Sequence, residues 1–248
     1  MTQKEQLSYD NIVSDILSEV PEEVSVEADF PSRGLFYELI DPSKPVIIRP
    51  MTFEDERSLA SLKEGNPSKA LDLLLSQCVS NLHVSQFLEM DKLYALVKIR
   101  EISYGSSFDA NITCPSCYEE APISIDISKL NVNKVPEDFK DPREVHLPVC
   151  NKKAIVRFPR SSESHYLSNI NNIEVHIWRF VLSIDGNTDN KVISDVIQKL
   201  PLRDMHVILN SLLEKSYGVN TRFLYVCTSC KRENEMEVPF NETFFTMS

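Results

Sequence analysis

Glycine is scarce in this chain: 248 residues contain five, at positions 34, 65, 105, 186 and 218. None of them clusters, so a phosphate-cradling loop, which needs several glycines within a few residues, is excluded. Two catalytic signatures are also missing, the Gly-x-Ser-x-Gly nucleophile turn and the His-Glu-x-x-His metal helix. The histidines (His83, His146, His165, His176, His206) are scattered. No apolar run approaches the roughly 20 residues that a membrane-spanning helix needs. The opening Met1-Thr-Gln-Lys-Glu-Gln has no positively charged stretch leading into an apolar one, so no signal peptide and a cytoplasmic location are expected. Lysine and arginine form no dense cluster of the kind that releases counterions from nucleic acid, so no nucleic-acid partner is expected. The sequence offers no positive case for an enzyme.

What is present is acid, and it is unevenly placed. The net charge is −11, and residues 1–30 carry eight acidic groups against the single base Lys4, leaving the other 218 residues with only −4. Within this leader, Tyr9, Ile12, Val13, Ile16, Leu17 and Val20 recur at helical intervals until Pro21 stops the pattern. A short amphipathic helix on an acidic tether (Glu22 to Asp29) can dock into a partner's groove or pack on its own domain. Residues 1–29 read as this leader, and 30–248 as one folded domain.

That domain repeats itself. With Asp91 placed on Asp204 and no gaps, Asp91, Leu96, Glu101, Ser103-Tyr104-Gly105, Cys114, Ser116, Cys117 and Glu120 fall on Asp204, Leu209, Glu214, Ser216-Tyr217-Gly218, Cys227, Ser229, Cys230 and Glu233, ten identities in 30 positions. Upstream, Val46-Ile-Ile-Arg49 resembles Ala154-Ile-Val-Arg157, and Leu59 falls on Leu167. The expectation is an internally duplicated α+β fold, a helix bundle carrying two Cys-x-x-Cys hairpins, with copies at about 45–120 and 153–235. In the first copy Ser68 is expected to cap a helix bearing Leu71, Leu74, Leu75, Cys78 and Leu82 on one face, and Asp91 to cap a second that ends at Gly105. In the second copy, Val192, Ile193, Val196, Ile197 and Leu200 mark one helix. A further helix starting near Pro201 and Asp204 presents Met205, Ile208, Leu209, Leu212 and Leu213, and is expected to end at Gly218.

After each of those glycines comes an extended run, a Cys pair, and a second extended run. A Cys-x-x-Cys turn points two thiolates to one side, which suits two corners of a tetrahedral metal site. Two corners do not close a site. The second copy supplies the others, so Cys114, Cys117, Cys227 and Cys230 are expected to share one structural zinc across 109 intervening residues. A redox Cys-x-x-Cys belongs at a helix start, and an open catalytic position is absent from an all-cysteine set; iron–sulfur ligation uses the same thiolates and stays open. Cys78 reads as a core residue, and Cys150 lies in a predicted hairpin turn.

One further pattern is specific. Pro31-Ser32-x-Gly34-x-x-Tyr37 is followed by Arg49-Pro50-Met51-Thr52 with Glu56, then by the two cysteine pairs, and finally by Pro239 with Phe244-Phe245. In this order, over residues 30–245, the chain resembles the baseplate hub assembly proteins of T4-like tailed phages. The resemblance implies a zinc-binding, non-enzymatic factor that helps to build the central hub, with baseplate hub proteins as partners. It leaves open a transient chaperone-like factor in the host cytoplasm or a hub subunit retained in the virion. A zinc-containing nucleic-acid regulator is a weaker alternative, supported only by Lys231-Arg232. Pro31 and Gly34 suit a tight turn that presents Leu35, Phe36 and Tyr37 either to the core or as a partner-binding edge.

Removal of residues 1–21 tests the leader. If Ile12, Val13, Ile16 and Leu17 dock into a partner, the truncated protein keeps its melting temperature and loses affinity for that partner; unchanged affinity assigns the helix to its own domain.

Overall fold

The fold is taken from a computed structural model of the chain. It describes residues 11–16, 25–63, 67–167, 173, 175–213, 216–240 and 242–245. After a helical stretch at residues 11–16 come short strands: β1 (Val26–Glu27), β2 (Ile47–Ile48) and β3 (Val79–Ser80) form an antiparallel sheet in that order, with Ile48 paired to both Val26 and Val79. Between β2 and β3 run α1 (Phe53–Lys63) and α2 (Pro67–Cys78). Pro67 takes the first helical position, where its missing N–H costs nothing; Ser68 follows it within the helix, and its side chain lies outside the described residues. The expected stripe on α2 is buried: Leu74, Leu75, Cys78 and then Leu82 are covered, with Leu71 half-buried. Burial pushes the Cys78 thiol up to about 12, which leaves it a neutral core residue.

Helix α3 (Glu89–Tyr104) is the central helix and buries residues on several sides, among them Tyr94, Ala95, Leu96, Val97 and Ile99. It also buries Asp91, Lys92 and Arg100, and a buried charge must find partners. Lys92 Nζ reaches Asp72 at 2.6 Å and Ser161 Oγ at 3.2 Å. Arg100 donates to the carbonyls of Gly105 and Ser107 and lies over the Tyr104 ring. Asp91 does not cap the helix: Leu88 does, and the Asp91 carboxylate accepts the Ser32 N–H at 2.9 Å and the Tyr37 hydroxyl. The helix ends at Gly105, whose φ of 90° disfavours a side chain.

The hairpin β4 (Ser107–Thr113) and β5 (Glu120–Asp126) follows, then β6 (Val132–Asn133). A second antiparallel sheet consists of β7 (Arg143–Leu147), β8 (Lys152–Val156) and β9 (Val181–Ile184) in that order. Two helices follow it. In α4 (Asn190–Ile197) the Asp189 carboxylate caps the N-terminus by accepting from Lys191 and Val192. In α5 (Leu202–Leu212) Ile208 and Leu212 are buried. This helix stops at Leu212, six residues before the expected Gly218, which instead opens β10 (Gly218–Val219) against β6, with φ of 109°. A Cβ there would stand 3.2 Å from Met90 Cβ. The last hairpin is β11 (Arg222–Val226) and β12 (Glu233–Glu237).

The architecture is mixed: helices packed on small antiparallel sheets, where the sequence suggested a helix bundle. The apolar residues gather in two clusters. One lies around β2, α2 and α3, the other around β8, α4 and α5. The first also takes in Val238, Phe244 and Phe245, so the end of the chain returns to the beginning. The Phe244 ring packs 5.0 Å from Phe108.

Several local devices occur twice. Arg49 grips Asp55 with two guanidinium nitrogens (2.7 and 3.2 Å) and donates to the Pro50 carbonyl. Arg157 grips Glu163 in the same way (2.7 and 2.6 Å) and donates to the Phe158 carbonyl. In each, the acid also accepts a backbone N–H three residues after the arginine, from Thr52 and Arg160. Asp204 is buried in α5 as Asp91 is in α3, and accepts the N–H groups of Val149 and Cys150 at 2.8 and 2.9 Å. Ser32 and Val149, the first acceptor's partner and the second's, each follow a proline that ends a segment leaving the first strand of its sheet.

Arg49→Lys and Arg157→Lys keep the charge and lose the two-pronged grip. Each is expected to cost about 1–3 kcal/mol, since an acceptor that is buried (Asp55) or half-buried (Glu163) is left short of donors, and denaturant unfolding measures this. Burial opposes ionisation of Asp55 and Glu163, but their hydrogen bonds to arginine outweigh it and hold both below the ordinary carboxylate range. Their contribution is therefore present above the unfolded carboxylate values near about 4. It is lost as pH falls through the lowered folded values, so the penalty of Arg49→Lys is expected to shrink in acid.

Candidate metal centre

The two hairpins are built alike at their tips. In the first, Phe108, Ile112, Ala121 and Ile125 face inward as cross-strand pairs, which fixes the register and carries Cys114 into the turn. The Cys114 N–H donates to the Glu119 carbonyl at 2.9 Å, and the Tyr118 N–H to the Cys114 carbonyl at 2.8 Å. In the second, the Cys227 N–H donates to the Arg232 carbonyl at 3.0 Å, and the Lys231 N–H to the Cys227 carbonyl at 3.0 Å. Tyr118 and Lys231 occupy the same place in each turn and take positive φ, 63° and 60°. This turn leaves both thiols of each pair on one side.

The tips meet. Cys114 Sγ lies 3.9 Å from Cys230 Sγ and Cys117 Sγ 3.8 Å from Cys227 Sγ, and all four sulfurs lie within 4.8 Å of one another. A regular tetrahedron of sulfurs around zinc has edges of about 3.8 Å, from a Zn–S distance near 2.3 Å. Disulfide bonding, at ~2.05 Å, is far shorter. Cys114 and Cys227 are buried, Cys117 and Cys230 half-buried. Both pairs sit on strand-to-strand turns and neither opens a helix, so the helix-dipole activation of a redox pair is missing.

Donors surround the sulfurs. The Ser116 N–H approaches Cys114 Sγ at 3.4 Å and the Asn234 amide approaches it at 3.7 Å. That amide is held by the Arg232 carbonyl at 2.9 Å, and its oxygen accepts the Ser116 hydroxyl at 2.8 Å, tying one hairpin to the other. The Tyr225 hydroxyl is buried beside Cys114 in no well-formed hydrogen bond. It is the main cause pulling the Cys114 thiol down to about 6. Cys227 is also held low, first by the Cys230 N–H. Cys117 goes the other way: the Glu119 N–H favours its thiolate, but burial and hydrogen bonding to the other three thiols push it up to about 12. Four adjacent thiols cannot all lose their protons unless a cation supplies the opposing charge. The donor set is all sulfur, which suits zinc or iron, and these residues fit such an ion.

Cys150 is exposed on the β7–β8 turn and Cys78 is in the core, so neither joins the cluster. No histidine joins it among the described residues. Sequence reasoning missed Ser116 and Asn234 as sulfur supports, although Ser116 stood in the repeated Cys-x-Ser-Cys block. It also missed Asp55, the true partner of Arg49, for which the only signal was an acid six residues after each arginine.

A family model described as T4 bacteriophage base plate protein matches residues 36–246, a span that holds both cysteine hairpins. The chain belongs to that family. No curated protein and no solved structure gives a match. In this baseplate-family chain, no helix among the described residues is long and apolar enough to cross a membrane.

Of the candidate partner-binding residues, Ile12, Val13 and Ile16 lie on a helical stretch and are exposed; Leu17 is outside the described residues. Leu35 is exposed, and Phe36 is half-buried with its ring 6.1 Å from Phe139. Tyr37 faces inward instead: its ring packs on Phe30 and Phe87, and its hydroxyl donates to Asp91 and accepts the Leu88 N–H.

The purified protein is expected to carry one zinc per chain by elemental analysis, and Cys114→Ser or Cys230→Ser to lose it. Chelation is expected to lower the melting temperature by on the order of 10 °C or more, since each kcal/mol moves a chain of this size by about 2–4 °C. The metal should leave on acidification, because the sulfurs must reprotonate to release it. A metal-free protein with an unchanged melting temperature would refute the site.

Proposed function

We propose that this baseplate-family protein is a non-enzymatic assembly factor for the central hub of a contractile-tail baseplate, its body stapled by one structural zinc. The observation that carries the reading is the closed four-sulfur set, drawn from two hairpins far apart in sequence and leaving no open coordination position for substrate. In this reading Cys114, Cys117, Cys227 and Cys230 hold the ion, which adds roughly 10 kcal/mol or more if it behaves as in zinc-finger peptides. The doubled arginine clamps, doubled buried aspartates and matching knuckles support an internal duplication. The repeats then run from about residue 26 and about residue 143, earlier than the sequence alone suggested. The partners are hub proteins, reached through the leader residues Ile12, Val13, Ile16 and Leu17 and the exposed Leu35 beside Phe36, and the protein acts in the host cytoplasm.

A second reading, a hub subunit retained in the particle, draws on the family's description as a base plate protein. Two measurements separate them. Deleting the gene from the phage is expected to abolish hub assembly, and mass spectrometry of wild-type particles is expected to lack the protein. Stoichiometric presence in purified particles would establish the subunit, and normal hubs without the gene would defeat both readings.

A further inference from the structure

The two hairpins share their tips and differ on their outer faces. Counted back from the first cysteine, β4 exposes Thr113, Asn111 and Asp109, opposite Glu120, Pro122 and Ser124. This face is polar, as a solvated strand should be. At the equivalent places β11 exposes Val226, Leu224 and Arg222, opposite Glu233, Glu235 and Glu237. Leu224 is 66% and Val226 61% exposed. Two apolar side chains thus stand in water where the matching hairpin carries asparagine and threonine, framed by a row of three carboxylates. Neither metal binding nor folding asks for them there.

The same face opens into a groove. Arg222, Glu235 and Glu237 form one wall of a cleft of about 880 Å³ between the start of α3, β10 and the end of α5. Leu88, Leu93, Phe158, Leu212 and Tyr217 contribute its apolar lining. The acidic wall has one internal cation, Arg222, 3.5 Å from Glu237 and 3.9 Å from Glu235 and itself well exposed. A cleft of this size takes several side chains, and complementarity of charge would choose among partners that bring them.

We propose that the outer face of the β11–β12 hairpin and the adjoining groove form a docking surface for a basic, apolar-rich segment of a partner protein, in which lysine or arginine alternates with aliphatic residues. Leu224 and Val226 take the aliphatic positions, and Glu233, Glu235 and Glu237 the cations. A second copy of this chain is disfavoured as occupant because each carries a net −11. Nucleic acid is disfavoured because the carboxylates repel phosphate. The surface follows from the geometry alone; only the choice of a baseplate protein as partner rests on the assembly reading above.

The probe is an array of overlapping peptides from the baseplate proteins of the same phage, with affinities measured by fluorescence anisotropy on the full chain. Leu224→Asn with Val226→Thr installs what the first hairpin tolerates at those positions, and Glu235→Gln with Glu237→Gln removes charge without removing apolar surface. Bound peptides are expected to be cationic and to weaken as salt rises. Each double variant is expected to lose affinity by about tenfold or more, as loss of central interface contacts does, with metal content unchanged. Preference for acidic peptides, tighter binding of a DNA duplex, dimerisation through this face, or equal affinity of the glutamine variant would each overturn the proposal. Should the asparagine–threonine variant lose its metal, the glutamine variant decides alone. Normal hubs in a gene-deleted phage would remove the assembly reading without touching the peptide result.

Discussion

Four sulfurs within 4.8 Å of one another would repel one another as thiolates. The donors present, the N–H of Ser116 and the amide of Asn234, soften this repulsion without cancelling it. A dication bound there would cancel it, and would hold the two strand turns together as one body. The rest of the molecule is arranged to make that meeting possible: the buried cross-strand pairs of the first hairpin fix its register, and the return of Phe244 and Phe245 to the first core brings the second hairpin alongside.

Polar groups do the remaining positioning, and they do it in duplicate. Each half anchors the strand that precedes its helices by an arginine clamped to an acid six residues on, and anchors its first turn by a buried aspartate that takes up backbone N–H groups. A carboxylate so placed cannot be exchanged for an apolar residue without orphaning the donors around it. These devices confer specificity of arrangement on sheets of only two to five residues per strand, which have few side chains with which to define their own register. Where the halves touch, the same economy holds: Lys92 of the central helix reaches both Asp72 and Ser161, joining elements from each side.

The departures from sequence expectation have physical causes. Asp91 and Asp204 look like helix caps because an acid near a helix start ordinarily serves the helix's own N–H groups. Here those residues lie inside the first turn, and distant backbone N–H groups are closer. Gly218 looks like a helix terminator because its counterpart Gly105 is one, yet α5 ends at Leu212 and the glycine is needed for its approach to Met90. Tyr37 suits the core or a partner-binding edge by sequence, and its hydroxyl's bond to the buried Asp91 assigns it inward.

The sequence by itself determined the two Cys-x-x-Cys pairs, the matched block around each, the apolar stripe of α2 and the family, because each is a local pattern: a turn, a helical period, or a motif in order. Tertiary structure alone decided that the two cysteine pairs meet, that Asn234 and Tyr225 attend the sulfurs, and that Leu224 and Val226 face solvent. Contacts between residues more than a hundred positions apart leave no periodic trace along the chain. A β-strand's alternation names two faces without saying which is covered.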